Sequence, residues 1–363
     1  MKFGLQFFPS VRPEQVSAEQ YFDDLLDLVE DGERLGFDHA RLVEHYFHHY
    51  GGYSPNPMLF LAAASQRTTR MRLITGAVLP VFNHPLKLAG EIGMLDAISR
   101  GRLEVGFARA FLPHEFARFG VSLDESRDRF DEGLEIVRRL LEEERVAVDG
   151  RFHRFHATTS LPRPTQKPRP PFWVAALTTE ASFVNAGKRG HGVMAIPLGG
   201  AEMARLIELY RAAWRQAGHP GRGRVMLAFH MFCHEDAGEA RQIARAPMER
   251  FLRSLADAAK DWTSGTTSKD YAGYDRLIGQ LEDATFDRTI EHGSSWVGTP
   301  AEIIGQIQAY VDTVGPFEIA SVQAIFNDLP YADARRSIEL FSREVMPVFL
   351  EDHVTLADTQ RAL

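Results

Sequence analysis

The chain has 363 residues, 44% hydrophobic and 25% charged, a balance normal for a soluble globular protein and sufficient for a large core. Its formal charge of −8 is spread along the chain with no basic cluster, which sets nucleic acid aside as a partner. The single cysteine, Cys233, excludes an intramolecular disulfide and fits a reducing compartment. The sequence opens directly on a strand-like run, with no signal-type segment and no membrane-length apolar stretch, so a soluble, cytoplasmic protein is expected.

Residues 2–8 form a predicted strand that stops at Pro9. Ser17, with Gln20 three residues on, opens an amphipathic helix that Gly36 closes. A second strand follows a turn at Gly36, and its hydrophobic run ends in Glu44-His45-Tyr46-Phe47-His48-His49, where strand becomes loop. A helix begins after Pro55-Asn56-Pro57, and residues 71–79 read as a strand buried on both faces. After a helix over 85–98, the turn Ser99-Arg100-Gly101-Arg102 leads into a strand over 103–109. Residues 110–125 form a loop with a short helical turn, 126–144 a long charged helix, and 146–155 a hairpin around Asp149-Gly150. A stiff proline-rich connector over 161–171 precedes the fifth strand at 172–176. Strands at 192–196, 225–232 and 320–326 are each followed by a helix, near 201–217, 236–257 and 332–345.

Eight strands with a helix behind each predict an α/β protein of one domain over 1–363, closed as a (β/α)8 TIM barrel. The polar stretch 258–295, between the seventh and eighth units, is too long for a plain barrel loop and predicts a mobile, lid-like insertion.

In a parallel barrel, functional side chains collect where strands end and loops begin. Glu44 and His45 stand at such an edge. They are either a catalytic His beside a carboxylate or a buried ion pair next to a solvated His-rich loop. Metal binding by His45, His48 and His49 is the weaker reading, because no helix places them on one face and no cysteine cluster supports it. No glycine-rich nucleotide fingerprint, nucleophile elbow or zincin motif is present. Arg109 ends the fourth strand, Arg127 lies in a helix's first turn, and Thr178, Thr179 and Ser182 lie where the fifth strand passes into its helix. Together they suit an anion site. Their plain alternatives are an Arg109–Glu115 ion pair, a helix cap at Thr178 or Thr179, and a surface Arg127.

The ordered set Glu44-His45-Tyr46-Phe47, Thr75-Gly76-Ala77-Val78-Leu79-Pro80 with His84-Pro85, Leu95-Asp96 with Ser99 and Gly101-Arg102, Gly106 with Arg109, Phe119-Gly120 with Ser126-Arg127, Val297-Gly298-Thr299-Pro300 and Val345-Met346-Pro347 resembles the bacterial luciferase-like, flavin-dependent monooxygenases, most of all their two-component, FMN-using branch. The resemblance spans nearly the whole chain. It implies reduced FMN, made by a separate NAD(P)H:flavin reductase, and O2 as co-substrate. The organic substrate would be oxygenated through a C4a-(hydro)peroxyflavin, by hydroxylation or in Baeyer–Villiger fashion. Arg109, Arg127, Thr178, Thr179 and Ser182 would hold the FMN phosphate, and Gly76–Ala77 would be a cis peptide under the flavin ring. His45 would be the catalytic histidine, tuned by Glu44. Phe7, Phe47, Tyr53, Leu112, Trp296 and Phe326 are candidate pocket walls, and a homodimer is expected. Tyr46, Ala108 and Leu112 replace the second histidine, the reactive cysteine and a pocket tyrosine of luciferases, which points away from light emission. The rival readings are a deazaflavin (F420)-dependent hydride-transfer enzyme, a non-catalytic partner subunit and, least supported, a metallohydrolase.

Overall fold

The computed structural model describes residues 1–197 and 199–350. In chain order the strands are β1 (Lys2–Phe7), β2 (His39–Leu42), β3 (Arg72–Thr75), β4 (Leu103–Phe107), β5 (Val146–Asp149), β6 (Arg154–Thr158), β7 (Phe172–Ala176), β8 (Gly192–Ala195), β9 (Val225–Cys233), β10 (Ser295–Gly298) and β11 (Ile319–Gln323). The helices are α1 (Ala18–Leu35), α2 (Pro57–Arg67), α3 (Pro85–Ile98), α4 (Pro113–Phe119), α5 (Ser126–Glu142), α6 (Glu180–Lys188), α7 (Gly200–Gln216), α8 (Ala237–Ala259), α9 (Tyr274–Glu282), α10 (Phe286–Glu291), α11 (Pro300–Val314) and α12 (Tyr331–Glu344).

Eight parallel strands run β1-β2-β3-β4-β7-β8-β9-β11, and pairing of β11 with β1 and of β8 with β9 closes the barrel. The predicted α/β barrel is the observed fold. Its helix signals act as read: Ser17 caps α1 by accepting from the Gln20 N–H, and Gly36 ends it with φ 93°. Phe3 packs edge-on against Phe341 of α12, and Phe7 against Phe60 of α2, so alternate residues of β1 face the helix layer. The barrel interior holds its own apolar cluster of Ile74, Ala77, Trp173, Met194, Met226 and Ile319. At the foot of the barrel the Trp173 indole N–H donates to Glu104 at 2.6 Å, and Arg72 and Arg224 pair with the same carboxylate at 3.0 and 2.9 Å. Burial alone would raise the Glu104 carboxyl; Arg224 and Arg72 outweigh it and hold the pKa below the ordinary value.

Three sequence expectations need correction. The second strand stops at Leu42 and the fourth at Phe107, so Glu44, His45 and Arg109 lie in the loops beyond these strands rather than on them. The strand expected over 71–79 ends at Thr75, and the chain turns at the cis peptide Gly76–Ala77, the bond the resemblance singled out. Beyond 258 the chain is also more ordered than its polarity suggested. Two 3-10 turns, α9 and α10 bury Trp262, Tyr271, Tyr274 and Phe286. The run 295–314, which carried no assigned element, then forms β10 and α11. Short aromatic anchors separated by glycine and serine hold this stretch, and they leave no continuous apolar period to read.

Candidate active site at the barrel mouth

Toward the C-terminal ends of the barrel strands, Gln6 on β1, Ala175 on β7, and Ala228 and His230 on β9 remain partly exposed and mark where the interior opens. Four neighbouring strands, β2, β3, β4 and β7, deliver the expected residues to this mouth. His45 follows β2, the cis Gly76–Ala77 bond follows β3, Arg109 follows β4, and Thr178 and Thr179 follow β7.

His45 is buried, and its Nδ1 lies 3.0 Å from Oε1 of Glu115, in the first turn of α4. The same oxygen accepts the Tyr46 backbone N–H at 2.9 Å. The Phe8 and Tyr50 rings sit 5.3 and 5.5 Å from the imidazole, and Phe111 stands edge-on at 6.1 Å. A carboxylate on Nδ1 fixes the ring's orientation and leaves Nε2 for proton exchange with a bound reactant. The carboxylate that orients His45 is therefore Glu115, and Glu44 does not touch it.

Glu44 turns the other way. It accepts from the Tyr46 hydroxyl at 2.5 Å, from Asn83 Nδ2 at 2.9 Å and from the Leu79 N–H at 3.3 Å, tying the loop after β3 to the loop after β2. Burial pushes its carboxyl up to about 7, outweighing the hydrogen bonds that favour the charged form.

Arg109 and Arg127 meet one segment. The Arg109 guanidinium lies 4.3 Å over the Tyr271 ring and donates to the Asp270 carbonyl at 2.8 Å, not to Glu115. At the start of α5, the Arg127 backbone N–H and the Ser126 hydroxyl donate to the Asp270 carboxylate at 3.1 and 3.3 Å. Here a helix N-terminus, a hydroxyl and a nearby guanidinium already receive an anionic oxygen group, so this donor set suits a phosphate. Thr179 is the N-cap residue of α6 with no side-chain cap bond, and Thr178, Thr179 and Ser182 are partly exposed. Among the described residues no hydrogen bond joins these three to Arg109 or Arg127. They stand on the neighbouring strand end, since Phe107 pairs with Val174.

The expected pocket walls scatter. Leu112 is fully buried at the start of α4. Phe326 is buried with its ring edge-on to His230 at 5.7 Å. Phe7 faces α2, Trp296 stacks on Phe229 at 3.9 Å in the core, and the Tyr53 hydroxyl donates to Val16. Phe47 is 53% exposed, with φ 63°. In place of Phe7 it is Phe8, one residue past β1, that stands beside His45; a one-residue step along a strand exchanges the faces. His48 approaches Asp257 at 3.0 Å while its Nδ1 accepts the Tyr50 N–H, and His49 lies 3.4 Å from Arg12. Both nitrogens of His48 are thus engaged within the protein, which disfavours a metal there although His48, His49 and Asp257 cluster.

A closed parallel barrel whose mouth brings together an oriented histidine and a helix end suited to an anion has the fold and site geometry of a small-molecule enzyme. The chain belongs to the luciferase-like monooxygenase family, whose model matches residues 1–315. It is 29% identical over 367 residues, 98% of this chain and 97% of the relative, to the oxygenase component of the flavin-dependent trigonelline monooxygenase of Acinetobacter baylyi. Among solved structures, the monooxygenase RslO1 from Streptomyces bottropensis superposes with TM-score 0.87 at 44% identity, covering 96% of this chain and all of that one. The FMN-bound oxygenating component of 3,6-diketocamphane monooxygenase, from Pseudomonas putida, does so with TM-score 0.80 at 26% identity, covering 96% and 98%. F420-dependent enzymes also occur among the relatives. The protein is thus an oxidoreductase of the flavin-dependent monooxygenase type.

Glu44 supplies a pH test of the site. Unfolded, it loses its proton near 4.5; folded, near 7. The folded chain holds the extra proton between these values, so its stability falls as pH rises through that window, by about 3 kcal/mol at most. Glu44→Gln should abolish this contribution. In urea unfolding, the variant should gain on the parent between pH 5 and pH 8, and a pH-independent difference would show that Glu44 is charged throughout.

Proposed function

We propose that the protein is the oxygenase of a two-component system, transferring one atom of O2 to an organic small molecule, by hydroxylation or Baeyer–Villiger insertion, with reduced FMN supplied by a separate NAD(P)H:flavin reductase. The observation that carries this reading is the placement of His45, the cis Gly76–Ala77 bond, Arg109 and Thr178–Thr179 on four consecutive strand ends of one mouth. Arg109, Arg127, Ser126 and the N-terminus of α5 would hold the phosphate, with Thr178, Thr179 and Ser182 facing it from the next strand end. Gly76–Ala77 would floor the flavin ring. FMN, when bound and reduced, supplies the electrons that activate oxygen. His45, oriented by Glu115, exchanges a proton at Nε2. Phe8, Tyr50, Phe111 and Leu112 keep water from the reacting centre. The relative from Acinetobacter is named an oxygenase component, which supports the reductase assignment. With FMN and NADH alone the purified protein should oxygenate nothing, and an unrelated flavin reductase should restore product in the presence of substrate. Rapid NADH oxidation with oxygenation by this chain alone would overturn the two-component reading. An F420-dependent hydride transfer would instead show itself in the absorbance of the bound cofactor.

The segment 258–295 acts as the cover in this reading, and Asp270 stands where the phosphate must bind. Arg109→Ala should weaken FMN binding by about 10-fold or more, the loss of one charge-assisted contact. Asp270→Ala should tighten it by about 3-fold or more, by freeing the helix end. Riboflavin, which lacks the phosphate, should respond to neither change in a fluorescence titration. Equal effects on both flavins would move the phosphate elsewhere.

A homodimer is the proposed assembly. Leu59 on α2, Met94 on α3 and Leu161, whose carbonyl lies beside Gly90 of α3, are 72%, 57% and 69% exposed. Such apolar groups on adjacent helices suit a second copy of this chain. Light scattering should give twice the chain mass, and Leu59→Glu with Met94→Glu should halve it; a monomeric parent would end this proposal.

A further inference from the structure

Inside the barrel, His39 and Ser321 bond at 2.8 Å across Gly4, where a Cβ would come within 2.1 Å of the imidazole. That contact fixes which face of β1, β2 and β11 points inward. Two residues further toward the mouth, the same face carries Gln6, Arg41 and Gln323. The register pairs Gln6 with Arg41 and Gln323 with His230, so β2, β1, β11 and β9 present Arg41, Gln6, Gln323 and His230 as one row.

This row is polar and incompletely paired. Arg41 donates from Nη1 to Gln6 Oε1 at 2.8 Å and from Nη2 to the Gly76 carbonyl at 3.1 Å. Its Nε, the Gln323 Nε2 and the His230 Nε2 are buried and find no partner among the described residues. No described carboxylate pairs with Arg41, and burial alone pushes its pKa down to about 10. The barrel's other buried charge is treated differently: Glu104 lies between Arg72 and Arg224. Burying a charge without a counter-charge is costly, so an uncompensated arginine beside two unpaired polar atoms calls for a ligand that supplies the missing acceptors. Arg41 also lies against Gly76, where an added Cβ would meet its Nε at 2.1 Å, so this end of the row packs beside the cis Gly76–Ala77 turn.

We propose that Arg41, Gln6, Gln323 and His230 form a receptor for a delocalised anion with adjacent acceptor atoms on the molecule lodged in the mouth. Two sources carry that chemistry: the reduced flavin, negative along its N1–C2 carbonyl edge, and a carboxylate-bearing substrate. A cation at the N1 edge favours the reduced over the oxidised flavin. A cation and amide donors would select acidic substrates by a charge-assisted contact. The inference rests on the flavin reading given above.

The test uses the purified full chain, with Arg41→Met, Arg41→Lys and Gln323→Leu, each checked for folding by circular dichroism and urea midpoint. Oxidised and reduced FMN are titrated anaerobically, and benzoate is titrated into the FMN complex as a carboxylate probe, read by flavin absorbance. If the flavin is the anion, Arg41→Met weakens reduced FMN at least 10-fold more than oxidised FMN, and Arg41→Lys recovers part of the difference. If the substrate is, both flavin states bind as in the parent, while benzoate binding falls at least 10-fold in Arg41→Met. Gln323→Leu, which keeps the charge, gives a smaller change of the same kind and decides the matter should Arg41→Met fail to fold. Folded variants that bind both flavin states and benzoate as the parent does would overturn the receptor, as would a parent that takes up FMN without redox preference and ignores benzoate. A parent that binds no FMN at all would instead overturn the flavin reading itself.

Discussion

Closure of the eight-stranded barrel is the constraint on which the rest depends. Each strand spends its backbone donors and acceptors on two neighbours, so the interior can be apolar or can hold polar side chains only where they pair. At the foot it does the latter, with Glu104, Arg72, Arg224 and the Trp173 indole closing on one another. Above them Ile74, Met194 and Met226 fill the axis. Toward the C-terminal ends of the strands Arg41 Nε, Gln323 Nε2 and His230 Nε2 are buried without a partner among the described residues, where the chain has loops to shape around a ligand.

Three buried carboxylates show how position decides chemistry. Glu104, between two arginines, is held in its charged form. Glu44 meets only neutral donors and burial raises its pKa, so it serves as a hydrogen-bonded tie between two loops. Glu115 is fully buried against His45 Nδ1, and its second oxygen has no partner among the described residues. The same residue type thus acts as floor, tie and orienting group, according to what surrounds it.

The contacts of Asp270 couple the stretch beyond α8 to the mouth. Its carboxylate caps α5, its carbonyl receives Arg109, and the neighbouring Tyr271 hydroxyl donates to the Ala110 carbonyl. Trp262 reaches the Phe111 carbonyl in the same way. The loop after β4 is therefore braced from outside by a segment more than 140 residues away in the chain, so the shape of the anion-receiving end of α5 depends on where that segment lies.

The sequence by itself determined the alternation of strands and helices, the barrel it implies, and the gathering of His45, Arg109 and Thr178 near the C-terminal ends of strands, though not where those strands stop. Those features rest on local signals: apolar runs, N-caps such as Ser17, and stops such as Gly36. A pattern of the same kind lay in His39-Ala40-Arg41 and in Gln6, polar residues set at every second place in otherwise apolar strands, and it marks the interior row. Which carboxylate orients His45 was decided only by the tertiary structure, because Glu115 is 70 residues away and reaches it through the folding of α4 over the mouth. The placing of Phe8, and not the expected pocket wall Phe7, beside His45, and the arrival of Asp270 at α5, were likewise settled by register and loop path. Local sequence sets the period of each element, whereas partners brought together by barrel closure are set by packing across the whole chain.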